Sequence, residues 1–474
     1  MEFLSQTHII GLVDKNSDIW NGNGRRSVYF IGIGGIGMSA LARWFLAENW
    51  SVAGSDLEAT ALTADLAQEG ALVRIGAPKR IPGRPALVVY TNAVPATNFE
   101  FLDAKRRGLE LFSYPEMVGA VSRRYETIAV AGAHGKSTTT AIMSLILSRL
   151  GLDPTVLIGT KLRELGGRNF RPGSSRYLVL EADEYARAFL HYSPAYLIVT
   201  NVDREHLDTY KNLMDIKRTF LQLFSRVLPG GALVLNSDDP NLTIMQADIE
   251  KIAERNRLRV LWYSRHSRRA KKIKEALQIP GLHNVADATA AFTLATKIFY
   301  LPEADVLRAI GRYKGSWRRY EFKGRYRLGG IGYEIFDDYA HHPTEIQATL
   351  AAFKEKFPFT TIICVFQPHQ AERLRRLFNN FARSFKDADA LILLPAYHVA
   401  GRETLQSQYT SQALAAAVAK KNPRKAVLYQ PDPGLLARSV IRDAFLKTGL
   451  DNEDAVVIMM GAGTISNYTP LLLQ

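Results

Sequence analysis

The chain has 474 residues, 47% hydrophobic and 22% charged, which is typical of a globular protein with about three domains of ordinary size. Its single cysteine, Cys364, excludes an intramolecular disulfide framework and a cysteine-based zinc cluster, and it favours a reducing cytoplasm. We find no secretory signal between Met1 and Arg26, and no apolar run approaching the roughly 18 residues of a membrane span.

The 60 basic and 46 acidic residues give a net charge of +14, which suits an anionic partner such as a nucleotide or a phosphorylated sugar. The densest basic cluster, Arg265 to Lys274, has no interleaved aromatic residues for base stacking. We therefore predict a solvated surface segment there and no nucleic-acid partner.

The first predicted unit is a strand that begins at Val28 and enters a G-x-G-x-x-G turn at Gly32, Gly34 and Gly37. A helical pattern and a second strand ending at Asp56 complete a Rossmann-type unit. The glycines allow a pyrophosphate to approach the backbone, and the acidic residue can accept a hydrogen bond from a ribose or nucleotide hydroxyl. A glycine turn that serves packing alone is the alternative.

A further strand, Leu87–Tyr90, ends in Thr91 and Asn92, and a helical stretch then leads to Arg123. We place a domain boundary there because the alternation of strand and helix starts again.

The next element has the order of a P-loop. A β-branched run, Thr127 to Ala131, enters a loop with Gly132 and Gly135, and an apolar helical pattern follows the Lys136-Ser137 pair. The glycines let backbone N–H groups face phosphate oxygens, the lysine can reach the β- and γ-phosphates, and the serine hydroxyl can ligate Mg²⁺. The loop is shorter than usual, so the motif by itself predicts a nucleoside triphosphate and no particular reaction.

Acidic residues follow the next two predicted strands. Tyr177–Leu180 runs into Glu181, and Tyr196–Thr200 leads to His206. In an open α/β sheet, ligands bind at the carboxyl ends of the strands, so both segments should converge on the P-loop. Glu181 and His206 are therefore candidate Mg²⁺ ligands, whereas His206 alone would more simply be a hydrogen-bonded loop histidine.

The segment Pro280–Asn284 precedes a helix that we predict from Ala286, with Asn284 as a possible cap. A second boundary falls near Arg318. Beyond it, polar residues cluster where predicted strands end, which indicates a further site. These strands are Tyr333–Phe336, Thr361–Phe366, Leu391–Leu394 and Val456–Met460.

Together, these segments resemble the Mur ligases, the ATP-dependent amide-bond-forming family of peptidoglycan precursor synthesis. The resemblance runs from Phe30 to Ile465 and includes, in order, F-I-G-I-G-G-I-G-M, A-G-A-H-G-K-S-T-T, E-A-D-E, N-x-D-x-x-H-L-D-T-Y, G-x-H-N, Arg318-Arg319, D-D-Y-A-H-H-P-T-E, V-F-Q-P-H and G-A-G-T-I. It implies an α/β fold with three domains. These would be a Rossmann-like UDP-sugar domain (1–123), a central P-loop ATPase domain (124–318) and a Rossmann-like C-terminal domain (319–474).

The resemblance also implies roles for individual residues. Lys136, Glu181 and His206 would be catalytic, with two Mg²⁺ ions held by Ser137, Glu181 and His206. ATP would be bound by Gly132, His134, Gly135, Lys136, Ser137, Thr138, His283, Asn284, Arg319 and Asp338. The UDP sugar would be bound by Gly34, Gly35, Gly37, Asp56, Thr91 and Asn92, and the amino acid by His341, His342 and Arg373.

The activity implied is ATP-dependent ligation of L-alanine to the carboxylate of UDP-N-acetylmuramate through an acyl phosphate, in the bacterial cytoplasm, by a monomer or homodimer. Three departures from the family pattern affect the finer contacts. Tyr185-Ala186 stands where Ser-Asp is frequent, Asp287 where a second Asn is usual, and Gln370 where Arg is common.

Three alternatives stay open at this point. One is the recycling ligase of the same family, which joins an L-Ala-γ-D-Glu-diaminopimelate tripeptide to UDP-N-acetylmuramate and which Tyr185 favours. A nicotinamide-dependent dehydrogenase would explain the first glycine motif but not the P-loop. The third alternative is a non-enzymatic nucleotide-dependent switch, which would not explain the polar residues at the strand ends of the C-terminal region.

Overall fold

The structure is a computed structural model that describes residues 26–77, 79–206, 209–397 and 408–473. Most of the segment in which we predict no secretory signal, and Leu207 and Asp208 of the H-L-D-T-Y motif, lie outside these residues. The chain divides into two compact units, Met1–Ala276 with Ala286–Gly311, and Leu277–Val285 with Arg312–Gln474. Within the described residues, no helix has the length and apolar character needed to cross a membrane.

The first unit begins with a five-stranded parallel sheet in the order β3-β2-β1-β4-β5. Its strands are β1 (Ser27–Ile31), β2 (Ser51–Asp56), β3 (Leu72–Ile75), β4 (Leu87–Tyr90) and β5 (Leu111–Ser113). Its helices are α1 (Ile36–Ala47), α2 (Ala61–Gln68), α3 (Phe99–Arg106) and α4 (Tyr114–Ser122). Side chains of β1 and β4 are almost wholly buried, as expected for central strands of a parallel sheet.

A seven-stranded sheet follows in the order β12-β11-β10-β6-β9-β7-β8, and β8 is its one antiparallel strand. Its strands are β6 (Glu126–Ala131), β7 (Thr155–Leu162), β8 (Arg168–Arg171), β9 (Tyr177–Glu181), β10 (Tyr196–Val199), β11 (Ala232–Asn236) and β12 (Arg259–Tyr263). The helices are α5 (Lys136–Arg149), α6 (Leu213–Phe224), α7 (Pro240–Ile244), α8 (Gln246–Asn256), α9 (Arg268–Ala276), α10 (Leu282–Lys297) and α11 (Glu303–Ile310).

The basic cluster forms most of α9. Ala270 and Ile273 are buried, whereas the Lys and Arg side chains of this helix are exposed. This arrangement agrees with the predicted solvated surface segment.

The C-terminal sheet has six strands in the order β13-β14-β18-β15-β16-β17, with β13 antiparallel to β14 and the other pairs parallel. Its strands are β13 (Glu321–Leu328), β14 (Ile331–Asp338), β15 (Thr361–Phe366), β16 (Ala390–Leu393), β17 (Ala426–Tyr429) and β18 (Asp454–Met460). Its helices are α12 (Pro343–Lys356), α13 (Ala371–Arg376), α14 (Phe378–Ser384), α15 (Ser411–Lys421), α16 (Arg438–Leu446) and α17 (Thr469–Leu473). Apolar side chains fill a core on each face of this sheet.

One carboxyl group near the end of β14 makes the stability of this unit depend on pH. Asp337 is buried and accepts a 2.5 Å hydrogen bond from the Thr469 hydroxyl, and Lys323 lies 3.8 Å away. Burial raises the pKa of Asp337 to about 6, because desolvation disfavours the charged form. A folded-state pKa above the unfolded value means that stability is lost as pH rises between the two values.

We therefore expect Asp337→Asn to stabilise the C-terminal unit by about 2 kcal/mol above pH 6, and to lose this advantage below about pH 4. Thermal unfolding followed across this pH range measures the effect. Asp451→Asn, at an exposed loop position, is the matched control and should change stability little at any pH. A stability difference that does not vary with pH would contradict the prediction.

Candidate active site

The predicted strand, phosphate loop and helix are all present. Strand β6 is buried and leads into the loop at Gly132, and α5 begins at Lys136. Gly132 and Gly135 have φ values of +136° and +83°, where a side chain would be strained. At Gly132, an added Cβ would also lie 2.1 Å from the Thr200 hydroxyl oxygen. The two glycines are therefore required by the backbone path of the loop.

The Lys136 ammonium is held by the loop and by a buried carboxylate. Its Nζ donates to the Gly132 carbonyl and to Glu184 Oε2, both at 2.7 Å. Burial by itself raises the pKa of Glu184, but the charges of Lys136 and His206 outweigh this and lower the pKa to about 2. The carboxylate of Glu184 in turn raises the pKa of Lys136 against the opposing effect of burial. The pair is therefore ionised at neutral pH.

Ser137 and Glu181, both predicted Mg²⁺ ligands, are brought together. The Ser137 hydroxyl donates to Glu181 Oε1 at 2.9 Å, and the Gly159 N–H donates to Oε2 at 2.8 Å. Glu181 is the last residue of β9, which lies beside β6 in the sheet. A hydroxyl and a carboxylate are oxygen donors of the kind that Mg²⁺ takes.

His206 lies beside the carboxylates of Asp183 and Glu184, which the sequence analysis did not predict as metal ligands. Its Nε2 is 3.4 Å from Glu184 Oε1 and 3.9 Å from Asp183 Oδ1, and the three side chains could hold a metal ion together. Burial lowers the pKa of His206, but the neighbouring Glu184 raises it to a greater extent. Both carboxylates belong to the E-A-D-E motif, in which only Glu181 was singled out.

The residues of this cluster fit a divalent cation. Glu184 Oε1 is buried and accepts no well-aligned hydrogen bond from the described part of the chain, although His206 Nε2 lies 3.4 Å away. A buried carboxylate oxygen without a well-aligned donor is costly unless a cation or water completes its interactions. Ser137, Glu181, Asp183, Glu184 and His206 are thus the residues that could hold Mg²⁺ next to the phosphate loop.

The two segments that carry this cluster, one after E-A-D-E and one after β10, contain strained residues. Ala186, Arg187 and His206 have φ values between 50° and 57°, in a region that side chains rarely adopt. Arg187 pairs with both Asp215 oxygens at 2.9 and 3.0 Å, and the Tyr210 hydroxyl donates to the Glu184 carbonyl at 2.6 Å. Strain of this kind persists only where surrounding contacts hold it, and it is concentrated at functional sites.

His134 and Thr138 complete the phosphate loop. The His134 N–H donates to Asn201 Oδ1 at 2.9 Å, and its Nε2 lies 3.2 Å from Asp203. Thr138 is buried in the first turn of α5. Asp287 also lies here, since a Cβ on Gly135 would come within 2.3 Å of its Oδ1. Asp287, one of the departures from the family pattern, therefore lies against the phosphate loop.

The first glycine motif forms the tight turn that the spacing predicts. The Gly34 N–H donates to Asp56 Oδ2 at 2.7 Å, so the acidic residue at the end of β2 also fixes the turn. Gly32 has φ +83° and packs on Thr91, and Asn92 is exposed. Gly35 precedes α1, and Gly37 lies in its first turn against the ring of Tyr114.

In the second unit, the predicted ribose ligand Asp338 is buried. Its oxygens accept hydrogen bonds from the backbone N–H groups of Tyr320 and Ala340, each at 2.9 Å. Burial raises the pKa of Asp338. The two arginines Arg318 and Arg319 both face the ring of Tyr339, at 5.3 and 5.5 Å. Asp338 thus anchors the segment that carries these arginines.

The predicted amino-acid ligands follow the ends of β14 and β15, which lie on either side of β18 in the sheet. His341 Nδ1 is 3.1 Å from Glu345, and its ring lies 6.0 Å from that of His369. Arg373 is 3.4 Å from His369 Nδ1, so His369 connects His341 with Arg373. His342 is buried as the N-cap of α12.

The prediction of a helix from Ala286 with Asn284 as its cap is wrong. Helix α10 begins at Leu282, and Asn284 lies inside its first turn, where the side chain donates to the Pro280 carbonyl at 2.6 Å. His283 packs close to Gly281, which has φ +102°. The left-handed glycine lets the helix begin earlier than the apolar pattern indicates.

A phosphate loop with an ion-paired lysine and a serine facing a carboxylate, in an α/β chain with two further Rossmann-like sheets, defines a nucleotide-using enzyme of the P-loop class. Models of three Mur ligase domains match the chain in order: "Mur ligase family, catalytic domain" at 27–126, "Mur ligase middle domain" at 130–295 and "Mur ligase, glutamate ligase domain" at 318–463. The chain belongs to the Mur ligase family, which confirms the predicted resemblance and fold class.

Individual relatives agree with this assignment. The chain is 37% identical to UDP-N-acetylmuramate–L-alanine ligase of Persephonella marina, over 95% of this chain and 96% of that protein. It is 36% identical to the enzyme of the same name from Salinibacter ruber, over 93% of each. The crystal structure of UDP-N-acetylmuramate-alanine ligase MurC from Thermotoga maritima is similar with a TM-score of 0.73 and 25% identity, over 94% of this chain and 97% of that chain.

Proposed function

We propose that this chain joins L-alanine to the carboxylate of UDP-N-acetylmuramate and converts ATP to ADP and phosphate. The observation that carries the proposal is the identity of more than a third, over nearly the whole chain, to proteins named for this reaction. The phosphate loop and its carboxylates are consistent with it, because transfer of a phosphoryl group between anions needs cations at the reacting oxygens. We also infer a cytoplasmic reaction, since ATP is the co-substrate.

The chemistry has two steps. A carboxylate oxygen of the sugar attacks the γ-phosphorus, and the bond to ADP breaks to leave an acyl phosphate. The alanine amine then attacks the acyl carbon, phosphate leaves, and the nitrogen loses a proton. Lys136 would bind the γ-phosphate during the first step, and Mg²⁺ bound by Ser137, Glu181 and His206 would offset phosphate charge.

The remaining assignments from the sequence are part of this proposal. Gly132, His134, Gly135, Thr138, His283, Asn284, Arg319 and Asp338 would bind ATP. Gly34, Gly35, Gly37, Asp56, Thr91 and Asn92 would bind the UDP sugar, and His341, His342 and Arg373 the amino acid. We keep the domain limits 1–123, 124–318 and 319–474, and the three sheets fall within them.

Phosphate release with Mg-ATP and UDP-N-acetylmuramate tests the proposal, with L-alanine, the tripeptide, or neither added. We expect release that depends on both the UDP sugar and L-alanine, with a product of matching mass. Glu181→Gln should lower this rate by about 100-fold, because it removes a charged ligand next to Ser137. Glu164→Gln, outside the phosphate loop, is the control and should retain the wild-type rate.

Release that needs the tripeptide instead would favour the recycling ligase. Tyr185, the residue behind that alternative, packs its ring 5.1 Å from the ring of His206. Phosphate release without any dependence on the UDP sugar would contradict both ligases.

A further inference from the structure

Tyr114 is a residue of the first unit to which neither the sequence motifs nor the proposed function assigns a role. It directly follows β5 and is the first residue of α4, so it lies at the carboxyl edge of the first sheet. In open parallel sheets this edge is where ligands bind. Its side chain is partly exposed, which leaves it accessible to a ligand.

The ring of Tyr114 packs on the glycine turn of the predicted UDP-sugar site. A Cβ built on Gly37 would lie 2.6 Å from the phenolic oxygen and 2.7 Å from the ring carbon that bears it. The absence of a side chain at Gly37 therefore lets the phenol lie against the first turn of α1. This is a close approach in which the third glycine of the motif makes room for a functional group.

The same residue lies within electrostatic range of the acidic cluster of the phosphate-loop domain. Helix α4 packs directly on the loop that follows E-A-D-E, since a Cβ on Gly119 would lie 2.4 Å from the His191 carbonyl oxygen. Burial and the charges of Asp183 and Glu181 raise the pKa of Tyr114, so the phenol keeps its proton at neutral pH. It is therefore a hydrogen-bond donor that lies against the glycine turn and is influenced by the charge of the carboxylates.

The Tyr114 hydroxyl has no hydrogen-bond partner among the side chains and backbone groups that the structure describes. Other tyrosines of this unit do have one: Tyr29 donates to Glu100 at 2.7 Å and Tyr210 to the Glu184 carbonyl at 2.6 Å. Packing on Gly37 requires only the ring, which phenylalanine would supply equally well. A hydroxyl at a ligand-binding edge that donates to no protein acceptor is available to donate a hydrogen bond to a ligand.

We propose that Tyr114 donates a hydrogen bond to the N-acetylmuramoyl part of the bound UDP sugar and orients it toward the phosphate loop. The inference rests on the proposed function. If the glycine turn binds the pyrophosphate, the sugar must extend from Gly37 toward Glu181, where its carboxylate reacts. Tyr114 packs against Gly37 at one end of that path, and the charges of Asp183 and Glu181 act on its phenol from the other end.

Calorimetric titration of Tyr114→Phe with UDP-N-acetylmuramate and with UDP tests this. We expect the Kd for UDP-N-acetylmuramate to rise about tenfold, the loss typical of one hydrogen bond, and the Kd for UDP to stay unchanged. The KM for UDP-N-acetylmuramate should rise in parallel, while the KM for ATP and the thermal midpoint remain those of the wild type. Tyr192→Phe, which removes a phenol near Asp183 without contact to Gly37, is the matched control and should bind both ligands normally.

An equal rise in Kd for UDP and for UDP-N-acetylmuramate would overturn the inference, because Tyr114 would then donate its hydrogen bond to the nucleotide. Unchanged affinity of Tyr114→Phe for both ligands would overturn it as well. Each result requires that the wild-type protein binds UDP-N-acetylmuramate. A wild-type protein that binds neither ligand would instead refute the proposed function, and this inference with it.

Discussion

Glu184→Gln is expected to lower kcat for phosphate release by about 100-fold while leaving the chain folded. The glutamine keeps the shape of the side chain but removes the charge that holds Lys136 Nζ at 2.7 Å. Lys136 would then have only neutral acceptors among these contacts, which are the carbonyls of Gly132 and Ala133 and the introduced amide oxygen. Removing one preorganised donor from an oxyanion hole costs roughly two to three orders of magnitude in kcat, and displacement of the Lys136 ammonium from the γ-phosphate would be a loss of the same kind.

The matched control is Asp183→Asn, which removes a carboxylate of the same motif. Asp183 is more than half exposed, and it lies 3.9 Å from His206. We expect a loss of at most about tenfold for this variant, because an exposed charge is screened by solvent. Equal losses for the two variants would show that total negative charge, and not the pairing with Lys136, governs the rate.

A double variant separates catalysis from stability. Removing one partner of a buried ion pair destabilises a protein by about 3 to 5 kcal/mol, since the other charge stays buried. Lys136→Met combined with Glu184→Gln should therefore be more stable toward urea than Lys136→Met alone, and just as inactive. Recovery of activity in the double variant would contradict a role for the ammonium in phosphoryl transfer.

Arg43→Met is expected to destabilise the first unit by about 3 kcal/mol. Arg43 lies on α1 and is only 4% exposed. Its Nε donates to Glu69 at 2.7 Å and its Nη1 to Asn169 Oδ1 at 2.5 Å. Asn169 lies on β8 of the second sheet and donates in turn to the Ile36 carbonyl at 2.5 Å. The guanidinium thus connects the helix of the glycine motif with a hairpin of the phosphate-loop domain.

Urea unfolding followed by tryptophan fluorescence measures this loss, and Arg168→Met is the control. Arg168 pairs with the same Glu69 at 3.2 Å, but its side chain is 58% exposed. Exposed ion pairs contribute only about 0 to 1 kcal/mol, so the control should unfold close to the wild-type midpoint. A small effect of Arg43→Met, comparable to that of Arg168→Met, would mean that the buried network does not couple the two domains.

The local elements of this protein follow from its sequence. Glycine spacing, buried β-branched runs and the Lys-Ser pair predict the turn at Gly34, the strand β6 and the phosphate loop before Lys136, because each depends on neighbours in the chain. The same motifs predict Ser137 and Glu181 as partners. Their convergence follows from a general rule, that the carboxyl ends of parallel strands share one edge of a sheet.

Other features depend on residues that are distant in sequence. The E-A-D-E motif does not distinguish Glu184 from its neighbours. In the folded chain, the segment held by Arg187 and Tyr210 places the Glu184 carboxylate against Lys136. The start of α10 at Leu282 depended on a left-handed glycine, which an apolar pattern does not reveal.

Tertiary structure alone decided how the domains of the first unit meet. Nothing in the sequence around Tyr114 or Arg43 indicates that one adjoins Gly37 and the other reaches Asn169. A local pattern specifies strands, turns and their polar ends, because these depend on backbone geometry and neighbouring side chains. Which polar ends face each other across two sheets depends on long-range packing, which only the folded chain defines.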